Sequence, residues 1–370
     1  FFFDDLMTYD HSNRPAILRR SDEDLKKLGE AVESEDTAAF RRRTERNKTQ
    51  IVIPRGVLNA LKKMAVKEGA TAILSSSADN HSGTVFVLQG GPYKITDPDN
   101  FLDIAIGLED YNTIVRLLRN KIPVKMDVDV KTRFQTNDTQ GYNVIAEIPG
   151  IDKDLKEEVV MLGAHLDSWP AATGATDNAA GVCVMMEAIR ILKAIGVQPR
   201  RTIRIALWSG EEQGLLGSRG YVKKTFGDAE TMKLLPAHDK LSAYYNLDYG
   251  TGKVLGIHLQ GNEAARNIFQ QWFAPFNDLR AKTVTLQNTG STDHISFNTV
   301  GLPGFQFIQD RLVTQHSNMD SYDHLMPDDL KQSATIVAAF VYNTAMRNQK
   351  IPRKELPKLR SVDPVTGFKQ

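Results

Sequence analysis

One cysteine, Cys183, in 370 residues excludes an internal disulfide and gives no redox clue to the compartment. A surplus of charge of either sign is also missing: 46 Lys+Arg stand against 45 Asp+Glu, a formal net charge of +1. No basic field is available to neutralise a phosphate backbone, so nucleic acid drops out as a partner. Long apolar runs are absent as well. The longest, around Ala179–Met186 and Ala334–Val341, fall far short of the roughly 18 residues of a membrane-spanning helix, and no membrane span is expected. No internal repeat and no low-complexity tract is visible. What is there is an ordinary globular composition, 41% hydrophobic and 25% charged, long enough for two or three modest domains with a sizeable core.

The start, Phe1-Phe2-Phe3 before Asp4-Asp5, reads neither as a signal peptide nor as a relaxed terminus, and is expected to begin inside a structural element. A secretory signal removed from ahead of it fits a secreted or periplasmic location. From about Leu18 to Gln50 mixed charge crowds the chain, as in exposed helices joined by a polar loop. Val57, Leu61 and Met64 have helical spacing, and Ala70–Leu74 and Thr84–Leu88 read as strands, so residues 1–120 form a small α/β unit. Ile122–Asp129 reads as a strand, and beyond it strand-like runs alternate with amphipathic helices. The strands are Glu158–Ala164, Thr202–Trp208, Ala243–Leu247, Val254–Leu259 and Gly304–Ile308. The helices are Asn178–Ile195, Gln213–Lys224, Glu263–Phe276 and Pro327–Met346. This alternation predicts an α/β fold for residues 121–370, with a mixed, largely parallel central sheet flanked by helices.

In such sheets ligands bind beyond the carboxyl ends of the strands. The run Val159–Ala164 ends in His165-Leu166-Asp167, and Asp167 can accept the second ring N–H of His165 and hold it as a ligand. Asp177 and Asn178 open a helix, where either suits a cap; capping does not exclude ligation, because a carboxylate has two oxygens. Glu211 and Glu212 follow the Thr202–Trp208 strand, either as acids favoured by a helix N-terminus or as a repelling pair that needs a positive neighbour. The next strand ends at Asp248, and Tyr322-Asp323-His324 offers a late histidine. Singly each has a plain structural use. Together they bring imidazoles and carboxylates without thiolates to one crevice, a donor set that suits zinc, with other divalent ions open.

His165-Leu-Asp167, Thr176-Asp177-Asn178-Ala-Ala-Gly181, Gly210-Glu211-Glu212-Gln-Gly214, Asn246-Leu-Asp248 and Asp323-His324 together resemble the M28 family of co-catalytic dizinc peptidases, in the family's order, from Ile122 to about Met346. His165-Leu-Asp-Ser-Trp169 looks closest to its carboxypeptidase Q-like branch. Residues 68–74 and 83–87 resemble the protease-associated (PA) domain of such enzymes, so 1–120 is expected as a partial PA-like domain and 121–370 as the peptidase domain. In relatives with a PA insertion, part of the catalytic domain precedes it. No matching segment is recognised here, and the chain is expected to be processed, truncated or incomplete.

The resemblance implies that Asp177 bridges two zinc ions, with His165 and Asp248 completing one site and Glu212 and His324 the other. It implies Glu211 as general base, Asp167 as the partner of His165, and a cis Asp177–Asn178 peptide. Tyr322 is implied as a donor to the tetrahedral intermediate, with an ordinary packed tyrosine as the alternative. Ser291-Thr292-Asp293-His294 looks like a family element near the substrate, or a helix cap. The activity implied is exopeptidase action on short peptides, as an aminopeptidase. The alternative is a dipeptidase or carboxypeptidase of the carboxypeptidase Q type, which needs a cationic contact for the substrate carboxylate. A glutaminyl cyclase relative and a non-catalytic binding protein stand further off, because all five ligands and the base are in place. A homodimer is an open expectation.

Overall fold

The computed structural model describes residues 17–32, 55–77, 83–87, 102–133, 135–248, 250–312 and 314–358. The Phe1-Phe2-Phe3 terminus and most of the charged stretch up to Gln50 lie outside them. Seven strands form one sheet in the order Thr283–Thr285, Val254–His258, Gly304–Gln309, Leu241–Asn246, Val159–His165, Thr202–Trp208, Val144–Ile148. The four strands from Gly304–Gln309 to Thr202–Trp208 run parallel to one another. Val144–Ile148 joins one edge antiparallel, and Val254–His258 turns the direction on the other side.

The layering follows from side-chain alternation. All seven residues of Val159–His165 are buried, as expected for a strand covered on both faces. Val160, Leu162 and Ala164 face the helices Ala180–Ala194 and Pro327–Met346, while Val159 and Met161 face Trp208, Tyr244 and Phe297 on the other side. Because the four central strands are parallel, their carboxyl ends open along one edge. His165, the 209–212 turn and Asp248 all emerge there.

The expected strand at Ile122–Asp129 has no regular secondary structure and joins no ladder. In the large sheet two short strands escaped the sequence reading: the edge strand Val144–Ile148, mostly exposed, and Thr283–Thr285.

Ahead of residue 120 lie the helix Arg55–Lys67, a parallel pair formed by Ile73–Ser75 and Asp103–Ala105, and the helix Leu108–Arg119, which buries Leu108 and Val115. Residues 17–29, expected with this unit, pack on the large sheet's layer instead. Ile17–Leu18 pairs antiparallel with Arg311–Leu312, and the helix Asp22–Gly29, capped by the Ser21 hydroxyl, buries Leu25 against Leu255 and Ile308. The cause is a charge that the sequence reading left in solvent. Arg19 bonds Asp310 at 2.8 Å and Asp329 at 2.6 Å, two buried carboxylates that need a cation. A short piece of the large sheet's layer therefore precedes the small unit, where none was recognised.

Candidate metal centre

His165 stands last on its strand and is almost wholly buried. Its Nδ1 lies 2.9 Å from the Asp167 carbonyl oxygen, which orients the ring and leaves Nε2 facing the crevice. Nε2 is 3.1 Å from Asp177 Oδ1 and 3.3 Å from Asp248 Oδ1. The expected partnership with the Asp167 carboxylate is thus largely taken over by its carbonyl, since the carboxylate stands 3.6 Å away. That carboxylate accepts instead from the backbone N–H groups of Glu211 (3.0 Å) and Glu212 (3.1 Å). It fixes the turn that carries both glutamates, and it explains why residues 211–215 fold as a turn and the helix waits until Leu216.

The division of labour at 177 and 178 is equally specific. Asn178 does the capping: its Oδ1 accepts from the Gly181 N–H at 3.2 Å, and its Nδ2 donates to the Leu247 carbonyl at 3.0 Å. Asp177 is left free to face the crevice. The Asp177–Asn178 peptide is cis. Asp320 braces this turn from outside, accepting from Thr176 N–H (2.6 Å), Thr176 Oγ1 (2.7 Å) and Asp177 N–H (3.3 Å). Behind Asp248, Gln306 Nε2 donates to the Asp248 carbonyl, and Asn246 donates to both Gln306 and Thr292.

The structure corrects the sequence reading at the second histidine. His316, not His324, joins the group: its Nε2 is 2.9 Å from Asp177 Oδ2 and 3.4 Å from Glu212 Oε2. Asp177 therefore presents one oxygen to each imidazole. His324 turns away onto Ser321 Oγ (3.2 Å) and Asp323 (3.6 Å), because it lies in a single helical turn beyond the crevice. Tyr322, in the same turn, is 81% exposed and does not line the cleft, so neither implied role, intermediate donor or packed tyrosine, fits it. His316 had a sequence signal that went unused: it follows the Gly304–Gln309 strand end more closely than His324 does. Asp320 carried no signal, since its service is to a backbone distant in sequence.

Asp293, taken as a cap or a substrate-side element, precedes the short helix His294–Asn298 without capping it. It is wholly buried, and among the described residues neither carboxylate oxygen has a hydrogen-bond partner of good geometry.

Three overlapping sets of ligand atoms lie within 4.8 Å of one another: His165, Asp177, Asp248; His165, Glu211, Glu212; and Asp177, Glu212, His316. All of these but the buried His165 line a cleft that also takes in Gly290, Ser291, Thr292 and Gln315, and contains no Lys or Arg among the described residues. Electrostatics follow from crowding. Burial and the charge of Asp248 push the Glu211 carboxyl up to about 9. Burial also raises Glu212, against the pull of His316. Burial would raise Asp177 too, but hydrogen bonds from His165 and His316 outweigh it and hold the carboxyl well below its ordinary range. His316, despite its burial, is pushed up to about 10 by Asp177 and Glu212. Burial and the nearby Asp248 and Asp167 charges lift Asp293 to about 7. Acids this concentrated call for added positive charge, and the buried oxygen Glu212 Oε1 has no partner among the described residues. Two imidazoles and carboxylates without a thiolate fit zinc.

Comparison with known proteins agrees with this geometry. The profile of peptidase family M28 matches residues 143–341, over half the chain. Carboxypeptidase Q of Mus musculus is 29% identical over 295 residues, covering 78% of this chain and 59% of that protein. Aminopeptidase YwaD of Bacillus subtilis is 29% identical over 238 residues, covering 61% and 49%. A solved structure of a peptidase M28 precursor from Shewanella amazonensis SB2B matches with a TM-score of 0.62 at 25% identity, covering 80% of this chain and 64% of that one. The chain thus spans 59% of the length of the carboxypeptidase Q relative. By profile, fold and the acid-and-imidazole crevice at the strand ends, the chain belongs to peptidase family M28.

Proposed function

We propose that the chain is a metal-dependent exopeptidase that hydrolyses short peptides with two zinc ions as cofactor, and that it acts as an aminopeptidase. The observation that carries this reading is Asp177, whose two oxygens face two different imidazoles at 3.1 and 2.9 Å, the arrangement of a bridging ligand. In this reading His165, Asp177 and Asp248 would hold one ion, and Asp177, Glu212 and His316 the other. When bound, such a pair lowers the pKa of a water toward about 7 and polarises the scissile carbonyl.

The chain's own residues move the proton. Glu211 is the general base: it points into the same crevice, takes the proton from the attacking water and returns it to the leaving amine. In the protein alone its carboxyl is raised to about 9, and added positive charge at the centre brings it down toward the working range. Asp167 sets the position of Glu211 and Glu212 together through their two N–H groups. Lined by acids and, among the described residues, without Lys or Arg, the cleft suits a cationic amino terminus better than a substrate carboxylate, for which it offers His316.

The second reading, a carboxypeptidase or dipeptidase, is favoured by the likeness to carboxypeptidase Q. We also propose that residues 55–120 form a PA-like unit, that the protein is secreted or periplasmic, and that it pairs as a homodimer. Among the described residues no helix is long and apolar enough to cross a membrane.

Metal analysis combined with a panel of short peptides, free, amino-blocked and carboxyl-blocked, tests these readings. Two equivalents of divalent metal and cleavage that is abolished by amino blocking are expected. Rapid cleavage of amino-blocked peptides overturns the aminopeptidase reading in favour of the second. No bound metal after reconstitution overturns both.

A further inference from the structure

The two histidines of the crevice are oriented by different means. His165 has a hydrogen bond on its second nitrogen, from Nδ1 to the Asp167 carbonyl oxygen. Among the described residues His316 has none on Nδ1, so its ring must be held otherwise. Its backbone is also unusual: φ is 57°, a left-handed conformation that a non-glycine residue keeps only where its surroundings over-determine it.

What surrounds it is the segment 83–87, more than 200 residues away in sequence. The Val87 N–H donates to the His316 carbonyl at 2.6 Å, and the Asn318 N–H donates to the Val85 carbonyl at 3.2 Å. Phe86 and Ser317 pair as an antiparallel bridge. The Asn318 side chain closes the clasp from both ends: Oδ1 accepts from the Val85 N–H at 2.8 Å and Nδ2 donates to the Gly83 carbonyl at 3.2 Å. Within this frame the Phe86 ring lies 5.9 Å from the His316 ring at 34°, and Trp169 flanks the same imidazole at 6.4 Å. These separations are those of packed aromatic pairs.

We infer that Phe86, carried by the 83–87 clasp, is the positioning residue for His316, and that the small amino-terminal unit thereby sets the affinity of one of the two metal sites. Phe86 touches neither water nor substrate in this role; it acts by holding Nε2 toward Asp177 and Glu212. Around His316 itself the loop 314–320 is otherwise braced locally, by Ser317 Oγ to the Thr314 carbonyl and the Met319 N–H to Ser317 Oγ, and its long-range hydrogen bonds to Thr173, Thr176 and Asp177 are made four residues on, at Asp320. Removing the clasp leaves the left-handed residue, and a ring then flanked by Trp169 without Phe86, freer to relax. The inference rests on the two-cation reading.

Stepwise loading of the metal-free full chain with cobalt(II), read by visible absorption and by competition with a chelator, tests it. His316→Ala identifies which of the two dissociation constants belongs to the His316 site. Phe86→Ala is expected to raise that constant by about 10-fold or more, the usual scale for losing a residue that orients a ligand, and to leave the other unchanged. Phe86→Tyr, which keeps the ring, restores it. Asn318→Ala, which removes two hydrogen bonds of the clasp and no aromatic surface, is expected to give a smaller rise at the same site. If both variants load two ions with wild-type constants, the inference fails and the two-cation reading stands. If the wild-type chain takes up fewer than two ions, the reading beneath it fails. Should Phe86→Ala not fold, Asn318→Ala decides: a selective rise supports positioning, and an equal weakening of both sites overturns it.

Discussion

Glu211 and Glu212 are neighbours in sequence with different tasks, and what separates them is where each carboxylate finds charge. Glu212 meets His316 at 3.4 Å and is proposed as a ligand, whereas Glu211 meets mainly other acids and is driven toward its protonated form. Glu211→Gln keeps the shape and the Asp167 hydrogen bonds, which use backbone N–H groups, and removes only the titratable oxygen. Turnover is expected to fall by at least about 10²-fold to 10⁴-fold, the range attached to a positioned base, with two metals still bound and melting unchanged. Steady-state assays beside metal analysis check this, and substantial residual activity would remove Glu211 from its role. The histidines offer a paired test. His316→Ala is expected to abolish activity and lower metal content, while His324→Ala and Tyr322→Phe retain both, because His324 bonds within its own turn and Tyr322 is solvent-facing. Loss of a metal equivalent in His324→Ala would reverse the assignment.

The elements decide how closely these side chains meet. The helix Ala180–Ala194 begins where the chain crosses the Asp248 strand end, and Gly181 makes that crossing feasible. A Cβ there would sit 2.3 Å from Asn178 Oδ1 and 2.5 Å from the Leu247 carbonyl oxygen. Gly181→Ala is therefore expected to cost about 1–3 kcal/mol, as overpacking does, and to disturb Asp177 and Asp248 together. Urea unfolding measures the first effect and metal affinity the second; a variant with wild-type values for both would show that the crossing has slack. The same elements explain what the sequence made legible. Val159–His165 and Thr202–Trp208 announce themselves because buried parallel strands must be apolar, and their ends then point to His165 and Glu211 without further information. Val144–Ile148 is an exposed edge strand, so no burial pattern marks it. His316 sits on a loop whose conformation is imposed by the segment 83–87, a long-range constraint to which periodicity is blind. Arg19 failed for a related reason: in sequence it is one charge among many, and only the fold reveals the two buried acids that claim it.

At the scale of the whole molecule, a net charge of +1 conceals strong local imbalance. Asp177, Glu211, Glu212 and Asp248 converge while Asp293 lies buried behind them, so a chelator is expected to lower the melting temperature well beyond the loss of a surface ion. Each site held at 100 times its dissociation constant contributes about 2.7 kcal/mol. A second pH-dependent term lies apart from the metals. His294 is wholly buried, its Nε2 lying 2.9 Å from Gln260 Nε2 and 3.1 Å from the Thr289 carbonyl oxygen. Burial pushes it down to about 3, and pushes His258 down to about 4. Both histidines stay neutral in the folded chain while the unfolded chain takes up protons below about pH 6.5. The unfolded state then binds more protons, and stability falls as pH drops from about 6.5 toward those lower values, by up to about 1.4 kcal/mol per pH unit for each histidine. Above pH 6.5 neither contributes a slope. Urea midpoints of the metal-free chain between pH 7.5 and 5 check this against His294→Gln, which is expected to remove one histidine's share and flatten the acid limb. An unchanged slope in that variant would mean that His258 and the buried carboxylates set the acid limit without His294, and that the loop from Thr285 to Thr292, which shapes one wall of the cleft, is not the part of the fold that acid releases first.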